Sequence, residues 1–122
     1  MHLSEAEWKV MNSLWERHPA SARDVLDDLA DDTSWAYTTV KTMLERLVEK
    51  GALSVQMRGN RSYYQPLLPQ EQARHSALRG LIDRAFSGGI SSLLASLVAD
   101  EKISKRDRGE IRKMIDKLGG DA

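Results

Sequence analysis

Apolar residues recur along this chain at helical spacing in six places and at alternating spacing in two. The first helix opens on Ser4 and Glu7, which form an S-x-x-E capping box. Trp8, Met11, Leu14 and Trp15 follow on one face, and His18-Pro19 ends the run, because the residue before proline avoids the helical region. Ser21, with Asp24 three residues on, caps a short second helix with Val25, Leu26 and Leu29 inward and Asp27, Asp28 and Asp31 outward. Asp32-Thr33-Ser34 reads as a turn. A third helix is predicted over 36–50. Val40, Met43, Leu44, Leu47 and Val48 fill the i, i+3, i+4, i+7, i+8 register, and Gly51 follows as a left-handed cap.

Residues 53–57 then alternate with period two, and a second strand-like run covers 62–67. The two flank a four-residue loop, Arg58-Gly59-Asn60-Arg61, so a β-hairpin with a basic tip is expected. Pro69 starts a long polar helix with Leu78, Leu81, Ile82, Ala85 and Phe86 on one face. Gly88-Gly89 breaks it. The next helix carries Ile90, Leu93, Leu94, Leu97 and Val98. Ser104 and Asp107 cap a last one bearing Ile111, Met114, Ile115 and Leu118. The fold class is mainly α with a small β-hairpin. Residues 1–68 form a first domain and 69–122 a helical second one.

Three helices followed by a basic hairpin is the arrangement of a winged helix. An α-helix fits the major groove of B-DNA, and a hairpin beside it reaches the neighbouring backbone. The apolar face of helix 36–50 anchors it to a core, while Tyr37, Thr38, Thr39, Lys41 and Thr42 present groups suited to bases and phosphates. Arg46 either meets phosphate or pairs with Glu45 or Glu49. Lys50 suits the negative end of the helix dipole. Trp8 and Trp15 are expected in the core, and of Tyr63 and Tyr64 one faces inward.

Composition sharpens this picture. Net charge is zero over 122 residues, which alone argues against a nucleic-acid partner. The charges are sorted, however. Residues 1–35 hold eight acidic against three basic side chains, whereas 36–68 hold five basic (Lys41, Arg46, Lys50, Arg58, Arg61) against two acidic. Local field rather than net charge sets contact with a polyanion. The absence of cysteine removes disulfides, thiolate metal sites and cysteine nucleophiles together. His2, His18 and His75 are far apart in sequence and form no metal-ligand cluster. No Ser/His/Asp grouping or glycine-rich phosphate loop is visible. No cofactor and no enzymatic activity are therefore expected. The N-terminus lacks the features of a signal peptide, and no apolar run approaches the roughly 18 residues of a membrane span. A cytoplasmic protein without membrane insertion is expected.

The second half has wide apolar stripes on helices too few to bury one another. Fully burying one large aliphatic side chain is worth about 1.5–3 kcal/mol, so leaving Leu93, Leu94, Leu97, Val98, Ile111, Met114, Ile115 and Leu118 wet is costly. Pairing with a second copy is the simplest remedy.

Leu3-Ser4-Glu5-Ala6-Glu7-Trp8 with Val10-Met11 and Leu14-Trp15, then Trp35-Ala36-Tyr37-Thr38-Thr39-Val40-Lys41-Thr42 running into Leu44-Glu45-Arg46-Leu47-Val48-Glu49-Lys50-Gly51, and then Tyr63-Tyr64-Gln65-Pro66-Leu67, resemble the penicillinase-repressor (BlaI/MecI) family of bacterial winged-helix repressors. The resemblance extends to Gly88-Gly89 and the apolar helix after it. It implies a homodimer that binds a palindromic operator and represses transcription. Thr38, Thr39, Lys41 and Thr42 match the family's DNA-contacting positions, and Arg58 and Arg61 its wing. It further implies release through a membrane sensor-protease pathway. The matching cleavage point is Ser96–Leu97, where the best-known members have Asn–Phe. A copper-sensing branch uses C-terminal cysteines that this chain lacks. The competing reading is a winged helix used for protein–protein contact without DNA binding.

Overall fold

The computed structural model describes residues 1–120, with side chains through Lys117. The elements are α1 (Glu5–Glu16), β1 (Ala20–Ser21), α2 (Ala22–Asp28), α3 (Tyr37–Glu49), β2 (Leu53–Arg58), β3 (Arg61–Pro66), α4 (Gln70–Ala85), α5 (Ile90–Ala99) and α6 (Lys105–Gly120). They form two compact units, Met1–Ala77 and Leu78–Ala122. The first runs past the boundary expected at Leu68, because Ala73, in the first turns of α4, is buried in its core.

Local chemistry accounts for the helix starts in the first unit. The Glu7 amide donates to Ser4 Oγ at 3.1 Å, and the Ser4 amide donates to Glu7 Oε1 at 2.9 Å. Ser21 and Asp24 repeat this exchange at 3.1 and 3.0 Å, so both expected capping boxes form. At the far end of α3, Gly51 has φ +85°. Its amide donates to Val48 O at 3.0 Å, and the Ala52 amide donates to Leu47 O at 2.9 Å. This is a Schellman motif, which satisfies carbonyls that a helix end would otherwise strand. α3 therefore spans Tyr37–Glu49, one residue shorter at each end than expected, with Ala36 and Lys50 as its caps.

The sheet is antiparallel with strand order β1-β3-β2. Sequence periodicity missed β1: two residues are too few to show a period. Ala20 pairs with Tyr64 and Ser21 with Tyr63. The wing also differs from expectation. Arg58 pairs directly with Arg61, so the connection is a two-residue turn, Gly59-Asn60, rather than a four-residue loop. Gly59 has φ +61° and no other residue of the turn is left-handed, which is the two-residue hairpin geometry with glycine first.

Met11, Leu14, Val25, Val40, Leu44, Leu47 and Leu53 are the centre of the core. Trp8 and Trp15 pack partly buried against it, ring centroids 5.8 Å apart, and Trp15 Nε1 donates to Leu68 O at 2.9 Å. The Ala52 carbonyl accepts from the Leu67 and Leu68 amides, closing the base of the wing onto the end of α3. In the second unit Ile82 is the buried apolar side chain among those described, and α5 buries none.

Candidate nucleic-acid interface

The helical period sorts α3 into two faces. Val40, Met43, Leu44 and Leu47 are buried, while Tyr37, Thr38, Thr39, Thr42 and Arg46 are exposed. The Thr42 hydroxyl donates to Thr38 O at 2.9 Å. Its proton is thus engaged within the helix, and what it offers outward is lone pairs and a methyl group. Arg46 makes no ion pair among the described residues, which leaves its guanidinium uncommitted to Glu45 or Glu49.

Lys41 is not a free surface cation. Its ammonium donates to the hydroxyl of buried Tyr64 at 3.1 Å and lies 5.6 Å from that ring's centroid. The Tyr64 hydroxyl holds the ammonium above the usual lysine range. An amine with three donors keeps two for another partner. The contact also ties α3 to the wing. Tyr64 is the inward tyrosine of the pair, and Tyr63 is half-buried with the Arg58 guanidinium 5.6 Å over its ring.

Arg58 and Arg61 face each other across the ladder. Like charges directly opposed on a hairpin repel, so this pair is a local cost in the absence of an anion. Arg61 lines a groove of ≈ 350 Å³ with Ser21, Arg23, Tyr37, Lys41 and Asn60. Arg23 was missed by sequence reasoning because it sits among acidic residues. A separate groove of ≈ 630 Å³ collects Asp24, Asp27, Asp28 and Asp31 with Arg17. The zero net charge is therefore spatially divided.

Lys50 serves another purpose. It donates to Glu7 Oε1 at 2.7 Å and to His2 O at 3.1 Å, joining the end of α3 to the start of α1. Burial pushes the Glu7 carboxyl up, but hydrogen bonds from the Lys50 ammonium and the Ser4 amide outweigh it and hold the group below the usual glutamate range.

Residues 3–117 match the sequence model of the penicillinase repressor family. The chain belongs to this family. It is similar to the methicillin resistance regulatory protein MecI of Staphylococcus aureus (strain N315), 27% identical over 115 residues that cover 94% of each chain. It is 24% identical to the penicillinase repressor of Bacillus licheniformis, over 93% of this chain and 89% of that one. The solution structure of the Bacillus licheniformis BlaI monomeric form in complex with the blaP half-operator matches 59% of this chain and 88% of that one, at 30% identity and a TM-score of 0.52. The first unit is a winged helix, with β2–β3 as its hairpin.

In this family member the apolar residues of the second unit are left largely open. Leu93, Leu94, Leu97 and Ile111 are half-buried, and Val98, Met114 and Ile115 are exposed. Leu97, Val98, Ile111 and Ile115 line a groove of ≈ 370 Å³. The side chain of Leu118 lies outside the described residues. Ser96 is exposed and next to half-buried Leu97 within α5. Among the described residues no helix is by itself long and apolar enough to cross a membrane, and no three His, Asp or Glu side chains group as a metal site requires.

Proposed function

We propose that this chain, a DNA-binding transcriptional repressor by family, acts as a homodimer on a palindromic operator. Two copies of α3 enter successive major grooves about 10 bp apart, or a multiple of that. The observation that carries this reading is the exposed Tyr37-Thr38-Thr39-Thr42 face of α3 lying on the same winged-helix unit as the opposed Arg58–Arg61 pair. Thr38, Thr39 and Thr42 meet base edges. Lys41, Arg46, Arg58 and Arg61 meet phosphates and set the register, as backbone contacts do in protein–DNA interfaces generally. The open apolar faces of α5 and α6 support pairing with a second copy through Leu93, Leu94, Leu97, Val98, Ile111, Met114, Ile115 and Leu118.

Release follows from the same half of the chain. Cleavage at Ser96–Leu97 by a membrane sensor-protease pathway requires α5 to unwind locally. In a single copy α5 has no buried residue and opens at low free-energy cost, so the seam with the second copy is what cleavage has to loosen. Cleavage would separate most of α5 from α6 and dismantle the dimer.

The deciding experiment is a pull-down of fragmented bacterial genomic DNA with the purified protein at two salt concentrations. Recovery of a short palindrome with half-sites a whole number of turns apart is expected, with yield falling as salt rises. Failure to retain any duplex at low salt, from a folded protein, overturns the reading and leaves a protein-contact module.

A further inference from the structure

The groove beside α3 gathers three cations from three elements: Arg23 of α2, Lys41 of α3 and Arg61 of the wing. Among the described residues no carboxylate lines it. Asp24, the acidic neighbour on α2 that feels the Arg61 charge, is turned to the Ser21 amide, where its carboxylate accepts at 3.0 Å. Asp27 lies 3.6 Å from Arg23 Nε, with both side chains about two-thirds exposed at 68% and 65%. A contact so long and so wet leaves the Arg23 η-nitrogens uncommitted. Lys41 is held in place by Tyr64 with two donors to spare. Asn60 adds a carboxamide at the wing turn. An oxyanion seated in the groove would meet all three cations at once.

We propose that this groove seats one phosphodiester of the DNA backbone in each half-site, with Arg23 a phosphate contact that acts together with Lys41 and Arg61. The inference rests on the DNA-binding reading and extends it to a residue outside the recognition helix and wing. The oxyanion is a backbone phosphate rather than a free one because the groove is continuous with the reading face, sharing Tyr37 with it.

Three measurements on the full chain test this. In titrations against duplex at several salt concentrations, Arg23→Gln weakens binding to all sequences alike. It also lowers the slope of log affinity against log salt by about 0.9 per protomer, the share of one phosphate contact. Asp27→Asn leaves the slope unchanged or raises affinity; if it instead mimics Arg23→Gln, the arginine acts only through its pair on α2 and the inference falls. Neutral methylphosphonates placed one at a time along the half-site identify a single position at which Arg23→Gln costs nothing further. An unchanged salt slope in Arg23→Gln, with the parent binding duplex normally, overturns the phosphate seat and leaves the DNA-binding reading standing. If the parent binds no duplex, both fall. Calorimetric titration with inorganic phosphate separates the remaining source: binding abolished by Arg23→Gln with duplex affinity intact makes the groove a small-anion site and overturns the assignment to DNA.

Discussion

The two units use the same helical apolar period and reach opposite ends of burial. In the first, Val40, Leu44 and Leu47 of α3 are wholly buried against α1, α2 and the sheet. In the second, α5 carries an equally regular stripe, yet Val98 is 59% exposed, and on α6 Met114 is 61% exposed. A stripe states that a face wants covering; it does not state by what. The first unit covers its stripes with elements from the same chain because a sheet and three helices surround a common centre. The second has α5, α6 and the second half of α4, and among its described residues Ile82 is the apolar side chain that is buried. The contrast separates a first unit with a closed core from a second whose apolar side chains are left open.

The sharpest way to break this comparison is to create a cavity in the first unit. Leu44→Ala in the first unit should cost about 2–5 kcal/mol in denaturant unfolding, since the surrounding core is already closed. A cost below about 1 kcal/mol would mean that α3 is less firmly packed than its burial indicates.

Next in size is the charge test of the open face. Met114→Glu together with Ile115→Glu should halve the mass found by sedimentation equilibrium while α1–α3 remain folded. On a free surface the same changes would stay within about 0.5 kcal/mol and leave the mass alone. Dimer stability should also rise with protein concentration in the parent chain and not in the variant.

The wing provides the third contrast, between stability and binding. Arg58→Ala with Arg61→Ala should change the stability of the free protein by less than about 1 kcal/mol, because relief of the like-charge pair offsets loss of the Arg58 guanidinium from the Tyr63 ring. It should also lower the salt slope of DNA binding by about 0.9 per contact removed. Thermal unfolding and fluorescence titration on the same samples read both. A variant that loses stability and keeps the slope would place the arginines in the fold rather than at the phosphates.

The smallest expected effect concerns Glu7. Its folded-state pKa lies below the unfolded value, so its stabilising contribution is present above the unfolded pKa and is lost as pH falls through the folded one. Glu7→Gln should flatten stability against pH across that acidic window. The effect is about 1 kcal/mol or less, since Lys50 is partly exposed at 38% and the pair is screened by solvent. An unchanged pH profile would detach the Lys50–Glu7 pair from stability.

Features whose chemistry is local were legible in the sequence. Ser4 with Glu7 and Ser21 with Asp24 close within four residues, and the α3 register with Gly51 behind it closes within a few turns. The exposed threonine face of α3 and the basic wing were legible for the same reason: a helical or strand period assigns faces without knowledge of neighbours. β1 was not legible, because two residues show no period and its pairing partner, Tyr63-Tyr64, is far along the chain. The four-residue wing loop contracted to two because ladder pairing extended to Arg58 and Arg61, which a pattern of apolar alternation does not report.

By itself the sequence determined which faces are apolar, where the helices of the first unit start and stop, and which side chains a reading helix would present. All of these depend on contacts a few residues apart. Only the tertiary structure decided which charges meet. Lys50 finds Glu7 and Lys41 finds Tyr64 across 43 and 23 residues, and Arg23 joins Lys41 and Arg61 at one groove while its acidic neighbours line another. Charges carry no period along a chain, and their partners are chosen by packing. The electrostatics of this protein therefore became visible only once the core had set its elements side by side.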